Sequence, residues 1–304
     1  MPDPQTGQLY ALLSALSFAF GSVFISKGAK SRKDKGVLFS VFVTMLFSFI
    51  VWYIMESDQT RFDNSEQWLS GIFWFVMAGL FAMVFGRTLL YTSIRYLGVT
   101  RAGSVKRLNP FFAVICAAIF LSEPISGMDL LGMSAIGLAF ALLIYESRGC
   151  SQIVHEGETL SPSHYLWGVG SALAYALANV CRKYGLIDFN APAFGTFISA
   201  ASGFAFFLIA AVFSTVYREN LKTLFSNINR WLFLSGIFVS IGQIMAFAAL
   251  YHEKISTVVM INSLEIFLAS FLSVVVFRAE IRPQITTYIA AVFATIGVIV
   301  VAKY

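Results

Sequence analysis

The chain has 304 residues, of which 58% are hydrophobic and only 12% charged, with a mean hydropathy of +0.77. Soluble domains carry roughly 25% charged residues, so this composition excludes a soluble enzyme or binding module and points to a membrane protein. The net charge of +5 is read as loop topology signals under the positive-inside rule, and no nucleic-acid partner is expected.

Ten apolar segments follow one another at 9–27, 37–55, 68–91, 102–121, 128–145, 165–181, 192–217, 231–251, 256–277 and 286–302. Each is near the ~20 residues that span a bilayer. The flank before the first, MPDPQTGQ, has no Lys or Arg, so no cleavable signal peptide is expected. The third segment carries Arg87 beside Gly86 near its end. The fourth carries Lys106 and Arg107 more than a turn inside it, is interrupted by Asn109-Pro110 and closes on Glu123. Lys and Arg at bilayer depth cost about 2.5–3.5 kcal/mol each on insertion scales, so they normally face a protein interior or an aqueous cavity. Pro removes a backbone donor, which neighbours or water must make good. The longest connection, 146–164, contains Gly149, Gly157, Ser161 and Pro162 and reads as the linker between halves. The expected organisation is a first unit at 1–148, a linker at 149–164 and a second unit at 165–304. Cys116, Cys150 and Cys181 have no metal or redox spacing, and no cofactor is expected.

The halves repeat. A shift of 157 residues lays Ser14-Ala15-Leu16-Ser17-Phe18-Ala19 on Ser171-Ala172-Leu173-Ala174-Tyr175-Ala176, and pairs Gly28 with Gly185, Gly79 with Gly236, Thr100 with Thr257 and Glu123 with Glu280. With five spans in each half, the second must enter the membrane from the opposite side. The fold class expected is all-α, ten transmembrane helices arranged as two inverted five-helix repeats, with a binding site near the midplane between them.

Five spans per half, Ser-Ala-Leu-x-aromatic-Ala in the first, Pro110 thirteen residues before Glu123 in the fourth, and Gly132 and Gly137 in the fifth together resemble the EamA branch of the drug/metabolite transporter superfamily. The resemblance covers essentially the whole chain. It implies ten helices, alternating access, proton-driven or exchange transport of small organic metabolites, a monomer, and a multi-pass location in a bacterial inner membrane. Its proline is seen once: Phe267 stands where the shift expects the second, so the second hinge is expected to be absent. Thirteen Lys and Arg residues follow segments one, three, five, seven and nine, and five (Arg61, Arg182, Lys183, Lys254 and Lys303) follow the others. The charge rule therefore puts both termini outside, whereas the resemblance implies termini inside.

Arg87, Lys106 and Arg107 fall roughly 6–10 Å from one membrane face at 1.5 Å per residue. They would form an anion site, Arg by bidentate contact and Lys as a point charge, unless they snorkel to the headgroups. Glu265 falls near the midplane of the ninth segment, as a proton-coupling group or as counter-ion to Arg87 or Lys106. His252, beside Glu253, is a candidate proton relay or an interfacial group. Asn109, Asn179 and Gln243 are polar groups inside apolar helices that can orient a substrate or bond across helices. Tyr91 and Tyr175, with Tyr10 and Trp167, can stack on a flat substrate or serve as interfacial belt residues. Pro110 is the hinge. Glu123 and Glu280 are expected to cap the helices that follow them.

The first functional reading is a secondary transporter, exporter or exchanger, of an anion-bearing small molecule, with protons or a counter-substrate as coupling partner. The second keeps the fold and carries amino acids, aromatic ones especially, or drugs; a third is a lipid flippase. An enzyme is not expected: no Ser/His/Asp set, no HExxH and no paired carboxylates occur, and His155 and His164 fall in the linker. No phosphate-binding loop for ATP is present.

Overall fold

The computed structural model describes residues 3–28, 37–58, 65–90, 92–93, 96, 105–150, 163–226, 228–273 and 285–303. Among these, all regular structure is helical: α1 (Pro4–Gly28), α2 (Val37–Met55), α3 (Ser65–Gly79), α4 (Asn109–Leu121), α5 (Gly127–Cys150), α6 (Ser163–Asp188), α7 (Pro192–Phe213), α8 (Thr215–Lys222), α9 (Arg230–His252), α10 (Ile255–Asn262), α11 (Glu265–Phe271) and α12 (Ile285–Lys303). A π-helical segment, Leu80–Gly86, continues α3.

Local chemistry fixes the helix ends. Pro110 and Pro192 sit in the first turns of α4 and α7, where a missing N–H costs nothing. Ser126 and Asp129 form a reciprocal cap on α5, at 2.8 and 3.0 Å. Asn229 Oδ1 accepts from the Leu232 N–H at 2.9 Å to start α9. Ser122, in the left-handed region at φ 54°, stops α4.

The membrane dictates the packing. Five helices are long and apolar enough to cross it, Pro4–Ile25, Leu38–Met55, Trp68–Leu90, Pro192–Phe213 and Arg230–His252, and four shorter apolar helices accompany them. Large apolar side chains such as Ile54, Leu69, Ile119 and Phe213 are exposed on the outer surface, where lipid would cover them. Inside, helices approach on small residues and bury hydroxyls that find backbone carbonyls. Ser14 donates to Gly242 O at 2.9 Å and Ser171 to Gly86 O at 2.7 Å. These two serines, paired by the 157-residue shift, make the same kind of bond across the halves. The helix pairing follows the same exchange: α1 packs on α9 as α3 packs on α6, α2 packs on α7, and α5 on α12.

Four expectations are corrected. The fourth segment breaks at 107–108 rather than at Asn109-Pro110: a turn there, in which the Leu108 N–H bonds Val105 O at 3.0 Å, separates helical residues 105–106 from the helix Asn109–Leu121. The ninth is also broken, although it lacks the proline. The Ser263 hydroxyl bonds back to Met260 O at 2.6 Å, and the Leu264 N–H bonds Ile261 O at 3.1 Å. That tightening from four-residue to three-residue bonds ends α10 and lets α11 restart at Glu265. The seventh segment does not run to Tyr217. Ser214 is extended, and Arg218 closes α7 by donating to Ala211 O at 3.1 Å and Val212 O at 2.8 Å. Finally, Glu123 does not cap the helix after it. Its carboxylate accepts from the Ile255 N–H at 3.1 Å, on α10 of the other half. Glu280 lies outside the described residues. Helix also extends past the expected linker edges, to Cys150 on one side and from Ser163 on the other.

Glu56 makes a cap of the same cross-half kind, accepting from the Ala193 N–H at 2.9 Å and the Phe194 N–H at 3.1 Å at the start of α7. Charge-assisted bonds of this sort contribute about 1.5–3 kcal/mol. Glu56→Ala is therefore expected to lower the thermal unfolding midpoint of the purified protein in detergent, with Glu56→Gln lowering it less.

Candidate functional site

A cavity of about 530 Å³ is lined from both halves. From the first half come Ser22 of α1, Met83 of the π segment, Arg87, Lys106, Arg107 and the start of α4 at Asn109 and Pro110. From the second come Tyr175, Asn179 and Arg182 of α6, Gln243 of α9, Asn262 of α10 and Glu265 of α11. Three local irregularities place these groups. The π segment widens α3 just before Arg87. The breaks at 107–108 and 263–264 deliver Arg107 and Glu265 beside free helix ends.

Among the described residues, four of the five charged lining residues are cations, Arg87, Lys106, Arg107 and Arg182. Lys106 Nζ lies 5.3 Å from the Tyr175 ring centroid, and Arg107 lies 5.8 Å from that of Phe140. A Cβ added at Gly86 would stand 3.1 Å from the Tyr175 ring, so the backbone beside Arg87 packs directly on that ring. A cation over an aromatic face gains about 0.5–1 kcal/mol where water reaches it and about 2 kcal/mol or more where it is desolvated; here Lys106 is exposed and Arg107 half-buried. Glu265 is the only carboxylate among the described lining residues. It accepts a hydrogen bond at 2.9 Å from Ser22, a residue of the first half. Among the described residues its hydrogen-bond partner is that hydroxyl.

Several polar atoms of the lining are buried with no partner among the described residues: Arg107 Nη1, Asn109 Oδ1, Arg182 Nε and Asn262 Oδ1. Buried polar groups are normally satisfied, so a cluster of orphan donors and acceptors around one cavity marks a place for a polar ligand or water.

Arg182 is the residue that sequence reasoning missed. The sixth apolar segment ends at Cys181 by hydropathy, which assigns Arg182 and Lys183 to a loop. The helix continues to Asp188, and Arg182 is buried, 7% exposed. Its Nη1 and Nη2 donate to Asn179 Oδ1 at 3.3 Å and Gln243 Oε1 at 3.1 Å, and its guanidinium lies 4.8 Å from the Phe247 ring centroid. Two signals were available. The repeat shift pairs Arg182 with Ile25, inside the first segment, and Tyr175, Asn179 and Arg182 recur at helical spacing on one face.

The remaining candidates lie elsewhere. His252 is not a lining residue: its ring lies 5.8 Å from Tyr10, and its Nδ1 accepts from the Asp3 N–H at 3.2 Å. Trp167 is exposed on α6. Tyr91 lies outside the described residues. Beyond the buried wall of Ala246, Leu250, Val258 and Val259, that end of the bundle is tied shut. Lys183 Nζ donates to Leu250 O at 2.6 Å and Glu253 O at 2.8 Å. The Tyr184 hydroxyl donates to Phe120 O, and Glu123 holds α10. At the opposite end of the cavity, Lys106 is exposed.

The sequence profile of the EamA-like transporter family matches residues 5–145 and again 162–303. Among solved structures 29 chains match. One of them, the crystal structure of a protein, superposes with a TM-score of 0.66 at 15% identity, covering 97% of this chain and 96% of its own. At that identity the likeness is one of fold. No curated protein matches.

Proposed function

Because the chain belongs to the EamA-like transporter family, within the drug/metabolite transporter superfamily, and is a multi-pass integral membrane protein, we propose that it is a secondary transporter of an anion-bearing organic metabolite. It works by alternating access between two inverted five-span halves, 1–148 and 165–304, joined by the linker. The observation that carries this reading is the cavity between the halves, where four cationic side chains face one carboxylate among the described residues. A cleft of one sign with low-dielectric walls concentrates ligands of the other.

The shape of the site supports the mechanism. Both halves are broken at the level of the cavity, at 107–108 and 263–264, which divides each of those spans into two rods that can tilt separately. One end is closed by the cross-half hydrogen bonds of Tyr184 to Phe120 O and of the Ile255 N–H to Glu123, while Lys106 is exposed at the other. Lys106 opens the fourth span, so with alternating crossings the Arg- and Lys-rich connections after spans one, three, five, seven and nine share its side; by the charge rule that side is cytoplasmic and the termini lie outside. Placing Arg182 and Lys183 inside the bundle removes them from the loop tally and sharpens that bias. Glu265, bonded to Ser22 across the halves, serves as the coupling carboxylate, exchanging a proton as the halves move.

A second reading, an amino-acid carrier, is favoured by one observation: Glu265 provides an anionic partner for an ammonium opposite the cations. The test for both is uptake into vesicles containing the purified full chain, with and without a pH gradient. Lys106→Ala combined with Arg107→Ala is expected to lower uptake of an anionic substrate at least ten-fold while the protein remains monodisperse. Undiminished uptake by the double variant would overturn the anion reading.

A further inference from the structure

We infer that Arg182 is the inner anchor for a second anionic group, so that the transported molecule is a small organic dianion held between Arg182 at the inner wall and Lys106 at the exposed end. This rests on the transport reading above and goes past it in naming the substrate class.

Arg182 is a buried charge without a counter-ion among the described residues. Its protein partners are neutral amide oxygens, of Asn179 and Gln243, and its Nε has none. The other charged side chains of the described lining are Arg87, Lys106 and Arg107, all like charges, and the single carboxylate Glu265. Glu265 is engaged by Ser22. Burying an ion is strongly unfavourable unless it is paired, and a buried arginine that serves only packing would be expected to keep a carboxylate beside it. Here the pairing charge must come from what enters the cavity.

The surroundings suit an anion. With their oxygens on the guanidinium, Asn179 and Gln243 keep their amide NH₂ groups as donors at the same wall, and these nitrogens have no protein partner among the described residues. Arg182 Nε, Asn179 Nδ2 and Gln243 Nε2 thus form a set of donors for a carboxylate or phosphate.

The second pole is set by the helix. Tyr175, Asn179 and Arg182 share one face of α6. Arg182 is seven residues beyond Tyr175, roughly 10 Å along the axis, and Lys106 lies over the Tyr175 ring. A single anionic group at either pole leaves the other cation uncompensated. A molecule with an anion at each end answers both.

The test uses the full chain in detergent and reads thermal stabilisation by linear four- to six-carbon dicarboxylates and by carboxyalkyl phosphates of similar length, which carry an anion at each end, each against the counterpart in which one carboxylate end is an uncharged amide. The carboxylate and phosphate arms tell which anion the site takes. At least one dianion is expected to stabilise the protein at a ten-fold lower concentration than its monoanionic counterpart, and Arg182→Gln is expected to erase that preference. Should Arg182→Gln not fold, Arg182→Lys, which keeps the charge and loses the planar fork, is expected to reduce the ratio of dianion to monoanion affinity ten-fold. A wild-type chain with no preference for any dianion overturns the inference, as does a variant that keeps the preference. Counterflow in vesicles separates the two readings: an Arg182-dependent dianion that binds without counterflow overturns transport alone. Counterflow of a monoanion or zwitterion, with no dianion bound, overturns the dianion alone.

Discussion

Replacing Gly79 with alanine is expected to destabilise the protein by about 2–3 kcal/mol or more, at the upper end of what overpacking costs. A methyl at this position, the last residue of α3, would collide with the backbone oxygen of Ser199 on α7 and would stand 2.9 Å from its Cα. The neighbouring Ser202 hydroxyl can rotate away, but the Ser199 carbonyl belongs to a helix and cannot. Ser199 also donates its hydroxyl to Phe75 O at 2.9 Å, one turn away, so separating the helices to admit the methyl would break that bond too. The measurement is the thermal midpoint and the monodisperse fraction after purification in detergent. Ser202→Ala serves as the control for loss of the neighbouring hydroxyl alone, with little change expected. An unaltered midpoint for Gly79→Ala would mean that α3 and α7 are not in contact as described.

The second large effect concerns coupling. Glu265→Gln keeps an acceptor for the Ser22 hydroxyl and holds the side chain permanently neutral. If this carboxylate is where a proton is taken up and released, the variant should lose accumulation driven by a pH gradient at least ten-fold. It should retain exchange of substrate for substrate, which needs no net proton movement. Vesicles assayed with and without the gradient measure both in one preparation. Accumulation that still follows the gradient in Glu265→Gln would remove Glu265 from the coupling role. Ser22→Ala is a milder probe: it removes the bond at 2.9 Å and leaves the charge.

The cationic residues of the cavity were legible because charge inside an apolar segment is expensive and therefore conspicuous. Arg87, Lys106, Arg107 and Glu265 all interrupt such runs, and the structure brings them to one cavity. Arg182 escaped the same logic for a simple reason. It sits near the end of its segment, and hydropathy stops at the first charge it meets, whether that charge begins a loop or lies inside a helix. The duplication was legible at Ser14 and Ser171 because both must satisfy a facing carbonyl in a medium without water. The break before Glu265 was not, since the sequence points to breaks through proline, and here a serine hydroxyl and a tightened turn replace it. The end of α7 was hidden likewise. The arginine that closes it acts from α8, several residues downstream, and composition alone reads that stretch as continuous.

The carboxylates that finish helices of the opposite half bear on how the chain is made. Glu56 waits for Ala193 and Glu123 for Ile255, separations of 137 and 132 residues, and the Ser14 hydroxyl within α1 likewise waits 228 residues for Gly242. Early spans can be inserted as they leave the ribosome, yet their polar ends stay unanswered until most of the chain has been synthesised. Docking of one half onto the other is thus deferred to the close of translation, and long-range closure of this kind is slow. Until then the nascent first half must be sheltered by lipid, water at the interface, or the insertion machinery.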